Sequence, residues 1–124
     1  MSETITLFIP KADEWINSND RHHWSTRSRR TRHWRDAARF MARHHKIPAL
    51  GLPVAIDAYI VKARAGRYDP NNLSPTTKAC IDGLVDAGVL PDDSWRELIG
   101  PDHRHGGKGT PGIRLEIRQV NSTA

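Results

Sequence analysis

A single cysteine, Cys80, stands in a chain of 124 residues. One thiol cannot close an internal disulfide, which excludes a disulfide-stapled framework and fits a reducing compartment. No apolar run approaches the ~20 residues needed to cross a bilayer. The first residues read as a strand rather than as the apolar core of a signal peptide. A cytoplasmic protein with no membrane partner is therefore expected. Aromatic residues are scarce, with four Trp, two Tyr and two Phe, so a monomer would have a thin core and a dimer interface is expected. There is no internal repeat. His22 and His23 invite a zinc reading, but no cysteine pair or second histidine pair at finger spacing accompanies them. The glycines between His105 and Gly112 lack the strand-then-helix context of a nucleotide-binding loop and read as a mobile loop. No Ser/His or Cys/His nucleophile arrangement stands out.

Basic residues dominate what is present. The formal net charge is +5, which favours a polyanionic partner although it also serves solubility. Between Ser25 and about Lys46 the periodicity predicts a helix, with Trp34, Ala37, Ala38 and Met41 on one face. Arg32, Arg35, Arg39, Arg43 and Lys46 recur at three- and four-residue steps on nearly the opposite face, offset only by Asp36. Arg27, Arg29 and Arg30 add charge just before them. Most charge runs are solvated helix faces. A stripe this one-sided repels itself, however, and contact with phosphate gives it a cause.

Alternation predicts strands over Thr4–Ile9, Val54–Val61 and Ile113–Arg118, and Trp95–Ile99 reads as a further strand ended by Gly100-Pro101. The layout is β-α-β-α-β-β. One small α/β domain, 1–124, is expected, with a mixed sheet packed with two helices and a strand order that a single sequence does not define.

The most informative stretch runs from Arg67 to Asp93. Its centre is a short amphipathic helix with Ser74 as N-cap, Pro75 at the first helical position and Gly88 past the end. Cys80, Ile81, Leu84 and Val85 form its apolar face, and Lys78 and Asp82 sit side by side at the flank. Asp69, Asn71, Asp92 and Asp93 lie in the loops at its two ends. Each is an ordinary turn former on its own. Gathered on one rim with Lys78, they would be the equipment of a magnesium site acting on phosphate. Arg64 and Arg67 form a basic lead-in suited to holding a substrate backbone.

The string D-P-N-N-L followed by K-A-x-x-D-G-L-x-D-A-G-x-L-x-D-D resembles the signature of RusA-type Holliday-junction resolvases, especially their phage and actinobacterial branch. The likeness is close over Arg67–Asp93 and extends elsewhere only in layout. By position it implies Asp69, Asn71 and Asp93 as metal ligands, supported by Asp92, and Lys78 as the residue assisting cleavage. It also implies Mg²⁺ as cofactor, with Mn²⁺ as a substitute, a homodimer, and an N-terminal Asn-rich loop near the DNA. Two departures stand out. Asn71 is an amide where the family has a carboxylate, and Ser74-Pro75 lengthens the path from Leu73 to Lys78.

The expectation is a Mg²⁺-dependent endodeoxyribonuclease that resolves four-way junctions by paired nicks, with catalytic Asp69, Lys78 and Asp93. Two other readings stand beside it: a junction-binding protein that does not cut, and an RNA-binding domain using the same basic helix.

Overall fold

The computed structural model describes residues 4–51, 53–64, 66–91 and 98–120. Strand β1 (Thr4–Pro10) leads through a long loop into helix α1 (Trp24–His44), and strand β2 (Val54–Lys62) follows. A 3-10 turn (Pro70–Leu73) runs directly into helix α2 (Ser74–Asp86), and strands β3 (Leu98–Lys108) and β4 (Gly112–Gln119) complete the chain. The four strands form one mixed sheet in the order β1-β4-β2-β3. Strand β4 is antiparallel to both β1 and β2, whereas β2 and β3 are parallel, the arrangement that a helical crossover such as α2 permits. The chain is thus a small α/β fold with two helices, as its periodicities predict.

Register explains the core. Leu7 and Ile9 of β1 stand opposite Leu115 and Ile113, which in turn face Ala58 and Ile60 of β2. All six are at most 1% exposed, and they share one cluster with Trp34 and Ala38 of α1 and with Cys80, Ile81 and Leu84 of α2. The reverse face of the sheet carries charge. Asp57 sits between Arg104 and Arg118 at 3.7 and 3.5 Å, and the Arg114 guanidinium lies 4.4 Å from the centre of the Tyr59 ring. The long stems of such side chains cover apolar surface, and Ala55 and Val61 beneath them are only 4% and 7% exposed.

Gly83 sets the spacing of the two helices. A methyl group built on it would lie 2.3 Å from the carbonyl oxygen of Arg35 and 2.8 Å from the Ala38 methyl. The helix backbones therefore approach at this point more closely than any side chain allows.

Three boundaries differ from the sequence-based expectation. Helix α1 ends at His44, and Lys46 lies beyond it with φ 54°, so Lys46 is not part of the helical stripe. Helix α2 includes Ser74, its N-cap position is Leu73, and no side chain caps it. The preceding 3-10 turn supplies the entry, and Asp69 caps that turn instead. The largest correction concerns β3, which runs on through Gly100-Pro101 and through His105-Gly106-Gly107, leaving only Gly109–Pro111 as a loop. The breakers are absorbed as bulges. The register along β2 slips between Ala55 and Asp57 and between Ile60 and Lys62, and the extra residues fall at Gly100 and Gly107, both at positive φ. An edge strand tolerates both glycine and proline because one side of it has no ladder to break.

Candidate functional site

The N-terminal end of α2 is assembled from four separate parts of the chain. Thr76, fully buried, accepts a hydrogen bond from the Ile16 amide at 2.8 Å and donates its hydroxyl to the Ile16 carbonyl at 2.9 Å. The Ser18 amide donates to the Asn72 carbonyl at 2.7 Å. These bonds strap the loop between β1 and α1 across the start of α2. Trp34 adds a tie from α1, its indole N–H donating to the Glu14 carbonyl at 3.1 Å. The next threonine, Thr77, is also fully buried and lies 3.1 Å from Nε2 of His103 on β3. Two adjacent threonines thus fix a loop on one side and an edge strand on the other.

Between them opens a groove of about 470 Å³ lined by Arg27, Ser74, Pro75, Lys78, Pro101 and His103. Its walls come from α1, α2 and β3. Two permanent cations and an imidazole converge there, beside the first turn of α2. His103 is shifted towards its neutral form, because burial outweighs the opposing pull of the Asp102 and Asp69 carboxylates. Asp69 is thus one of the charges acting on His103, although it does not line the groove itself.

Asp69 itself is exposed, and its Oδ1 accepts the Asn71 amide at 2.9 Å. Asn71 sits exposed in the 3-10 turn. Lys78 reaches Asp82 at 3.3 Å, the pairing expected four residues apart. Asp92 and Asp93 lie outside the described residues. The oxygens of Asp69 and Asn71 suit a hard cation. Two donors do not make a site, though, and among the described residues no three His, Cys, Asp or Glu side chains are placed to hold a metal ion.

Behind Asp69, Tyr68 donates its hydroxyl to the Ile60 carbonyl at 3.2 Å. The Lys62 ammonium lies 3.9 Å from the centre of the Tyr68 ring. Burial, with the charge of Lys11, holds Lys62 below the usual lysine range, and burial raises Tyr68. The Cys80 thiol, fully buried, is pushed up strongly and is inert as a nucleophile.

The arginines divide into two groups. Arg27 lines the groove, and Arg29 approaches Asp13 at 3.7 Å. Arg35 instead grips Asp86 of α2 through two hydrogen bonds of 2.5 and 2.8 Å, and Arg43 donates to the Asp86 carbonyl at 3.4 Å. The hydrogen bond from Arg35, helped by the charges of Arg39 and Arg43, holds Asp86 below the usual carboxylate range. The stripe that looks unrelieved in sequence is thus relieved by a carboxylate on the other helix. Arg30 and Arg32 make no ion pair among the described residues, and neither do Arg64 and Arg67.

His103 and Thr77 escaped the sequence-based reading because His103 falls in a stretch that looks like a loop after a proline. The one available signal was the alternation His103, His105 beside Asp102, Arg104, which is a strand pattern written in polar residues. Compared with models of known protein families and with curated proteins, the chain matches none.

Proposed function

We propose that this protein is a metal-dependent endodeoxyribonuclease acting on branched DNA, with the four-way junction as substrate and a homodimer in the cytoplasm as the working form. The observation that carries the reading is the groove at the start of α2. There Arg27, Lys78 and His103 converge from three elements, and the Asp69 carboxylate is one of the charges acting on His103. Cations on a groove wall within the influence of a carboxylate suit a phosphodiester that must be held and attacked. The likeness of Arg67–Asp93 to the RusA-type signature supports the same assignment.

In this reading Asp69 and Asp93 would hold Mg²⁺ or Mn²⁺, with Asp92 in support and Asn71 as a neutral oxygen, and the ion when bound would supply Lewis acidity towards the phosphate. Lys78 stabilises charge growing on the phosphate, and Arg27 fixes the backbone. Arg64 and Arg67 extend the contact. A two-fold dimer presents two equal sites, which paired nicks on opposed strands require.

One observation favours a second reading, binding without cutting. Oδ1 of Asp69 is already engaged as the cap of the 3-10 turn, and Asn71 brings a neutral amide where a second carboxylate would add charge. A labelled mobile four-way junction, incubated with and without Mg²⁺ beside Asp69→Asn and Asp93→Asn, separates the two. Cleavage by the native protein that is lost in both variants while binding persists supports the nuclease. Tight binding with no cleavage in Mg²⁺ or Mn²⁺ supports the second reading, and cutting undiminished in either variant removes that carboxylate from the site.

A further inference from the structure

Trp24, the first residue of α1, is 74% exposed, whereas Trp34 on the same helix is fully buried. A single exposed apolar ring is ordinary on its own. What marks Trp24 is its fixed position on a helix beside cationic side chains. The ring is not on a loose end. His23 accepts the Ser25 amide at 3.2 Å through Nδ1 and so caps the helix. Its imidazole packs against the Trp24 indole, with ring centres 5.5 Å apart. One turn further along α1 is Arg27, which lines the groove with Lys78 and His103.

We infer that Trp24 is a stacking platform for a nucleobase exposed at the branch of a DNA junction, whose adjoining phosphate is held by Arg27 in the groove. The inference rests on the nucleic-acid reading above and adds to it the means of recognising branched rather than linear DNA. Charge selects the partner. The first turn of α1 contains no acidic residue, and Arg21, Arg27, Arg29 and Arg30 flank the indole in sequence. Of these, Arg29 alone approaches a carboxylate among the described residues, Asp13 at 3.7 Å. An apolar protein surface or a lipid interior gains nothing from this cationic excess, while a base brings an anionic backbone with it. In linear duplex DNA the faces of the bases are covered by their neighbours. At a branch point they become accessible, so a stacking residue discriminates structure without reading sequence.

The test compares native protein, Trp24→Ala and Trp24→Phe in metal-free buffer. The ligands are a four-way junction carrying 2-aminopurine at the branch, a linear duplex of the same arm sequence, and an RNA hairpin. Trp24→Ala is expected to weaken junction binding ~5- to 150-fold and duplex binding by less than about twofold, the range that loss of one stacked base implies. It should also abolish a change in 2-aminopurine fluorescence that the native protein produces. Trp24→Phe should keep most of both. Because the ring is exposed, thermal stability should not change, and sedimentation should show the native oligomeric state. Unaltered junction affinity in Trp24→Ala overturns the inference, as does equal weakening on junction and duplex, an effect confined to the RNA hairpin, or loss of the oligomer. A native protein that binds neither DNA overturns the nucleic-acid reading as well, whereas native binding that is indifferent to Trp24 overturns the stacking role alone.

Discussion

The first half of α1 contains Arg27, Arg29, Arg30 and Arg32, and the second contains Arg35, Arg39 and Arg43, yet the two halves meet different surroundings. Towards the C-terminus, Arg35 and Arg43 converge on Asp86, a carboxylate 51 residues from Arg35 in the chain. Towards the N-terminus, Arg27 faces an open groove, and the shielded Nε of Arg30 has no hydrogen-bond partner among the described residues. The second half is a structural seam, and its charge is spent on holding two helices together. In the first half only Arg29 approaches a carboxylate among the described residues, Asp13 at 3.7 Å, and Arg27 is turned to the groove. A like-charge stripe on one helix therefore says little about its role until the neighbouring helix is in place.

The largest expected effect comes from forcing the seam apart. Gly83→Ala places a methyl group against the backbone of Arg35, which has no side-chain end that can swing away. Overpacking a close contact costs about 1–3 kcal/mol, and backbone on backbone belongs at the upper end. The gain of up to ~1 kcal/mol from replacing a helical glycine offsets part of it. A net loss of about 2 kcal/mol in urea unfolding is expected, with the m-value unchanged. If Gly83→Ala is as stable as the native protein, α1 and α2 are not in tight contact and the distinction between the halves fails.

Exchanging the two kinds of arginine sharpens the comparison. Arg27→Gln should weaken DNA binding and reduce its log-log salt slope by ~0.9, the value for one lost phosphate contact on duplex arms, while leaving stability unchanged. Arg35→Gln should do the reverse, costing on the order of 1 kcal/mol because the pair is partly exposed, with the salt slope intact. The stability lost in Arg35→Gln should also depend on pH. Asp86 is held below its ordinary range in the folded state, so its pairing stabilises the fold fully above about pH 4, its unfolded value. That contribution fades as the pH falls through the lower folded value. The difference between native and Arg35→Gln thermal midpoints should therefore shrink below about pH 4. A constant difference would mean that Arg35 acts through packing rather than through the Asp86 charge.

How much was legible in sequence follows the same division. Local periodicity found both helices, β1, β2 and β4, the Lys78–Asp82 pair and the apolar face of α2, because each depends on residues a few positions apart. The Asp86 partner of Arg35 and the His103 partner of Thr77 depend on which helix lies beside which strand, and strand order was not readable. The course of β3 was misjudged for a related reason: Gly100-Pro101 breaks a central strand but not an edge strand, and only the sheet order shows that β3 is an edge. Of the candidate site, Asp69 and Lys78 were found through the Arg67–Asp93 motif. The groove that gives them a setting needed Arg27 and His103 from elsewhere in the chain.

The smallest effect concerns how the two helices end. Both close with the same pair of hydrogen bonds. In α2 the amides of Gly88 and Val89 donate to the carbonyls of Val85 and Leu84, and in α1 those of Lys46 and Ile47 donate to Arg43 and Ala42. This closure needs a left-handed residue, which Gly88 supplies at φ 81° and Lys46 supplies at φ 54°. A side chain in that region costs ~1–2 kcal/mol per residue relative to the right-handed form, and a lysine at a helix C-terminus recovers ~0.3–1 kcal/mol from the dipole. Lys46→Gly should therefore raise stability by less than about 1 kcal/mol, since glycine also loses more chain entropy on folding. The same variant tests whether Lys46 belongs with the seam or with the groove. Lying beyond the helix and off its stripe, it is expected to leave the salt slope of DNA binding unchanged. A slope reduced as far as in Arg27→Gln would return Lys46 to the binding surface and extend that surface to the far end of α1.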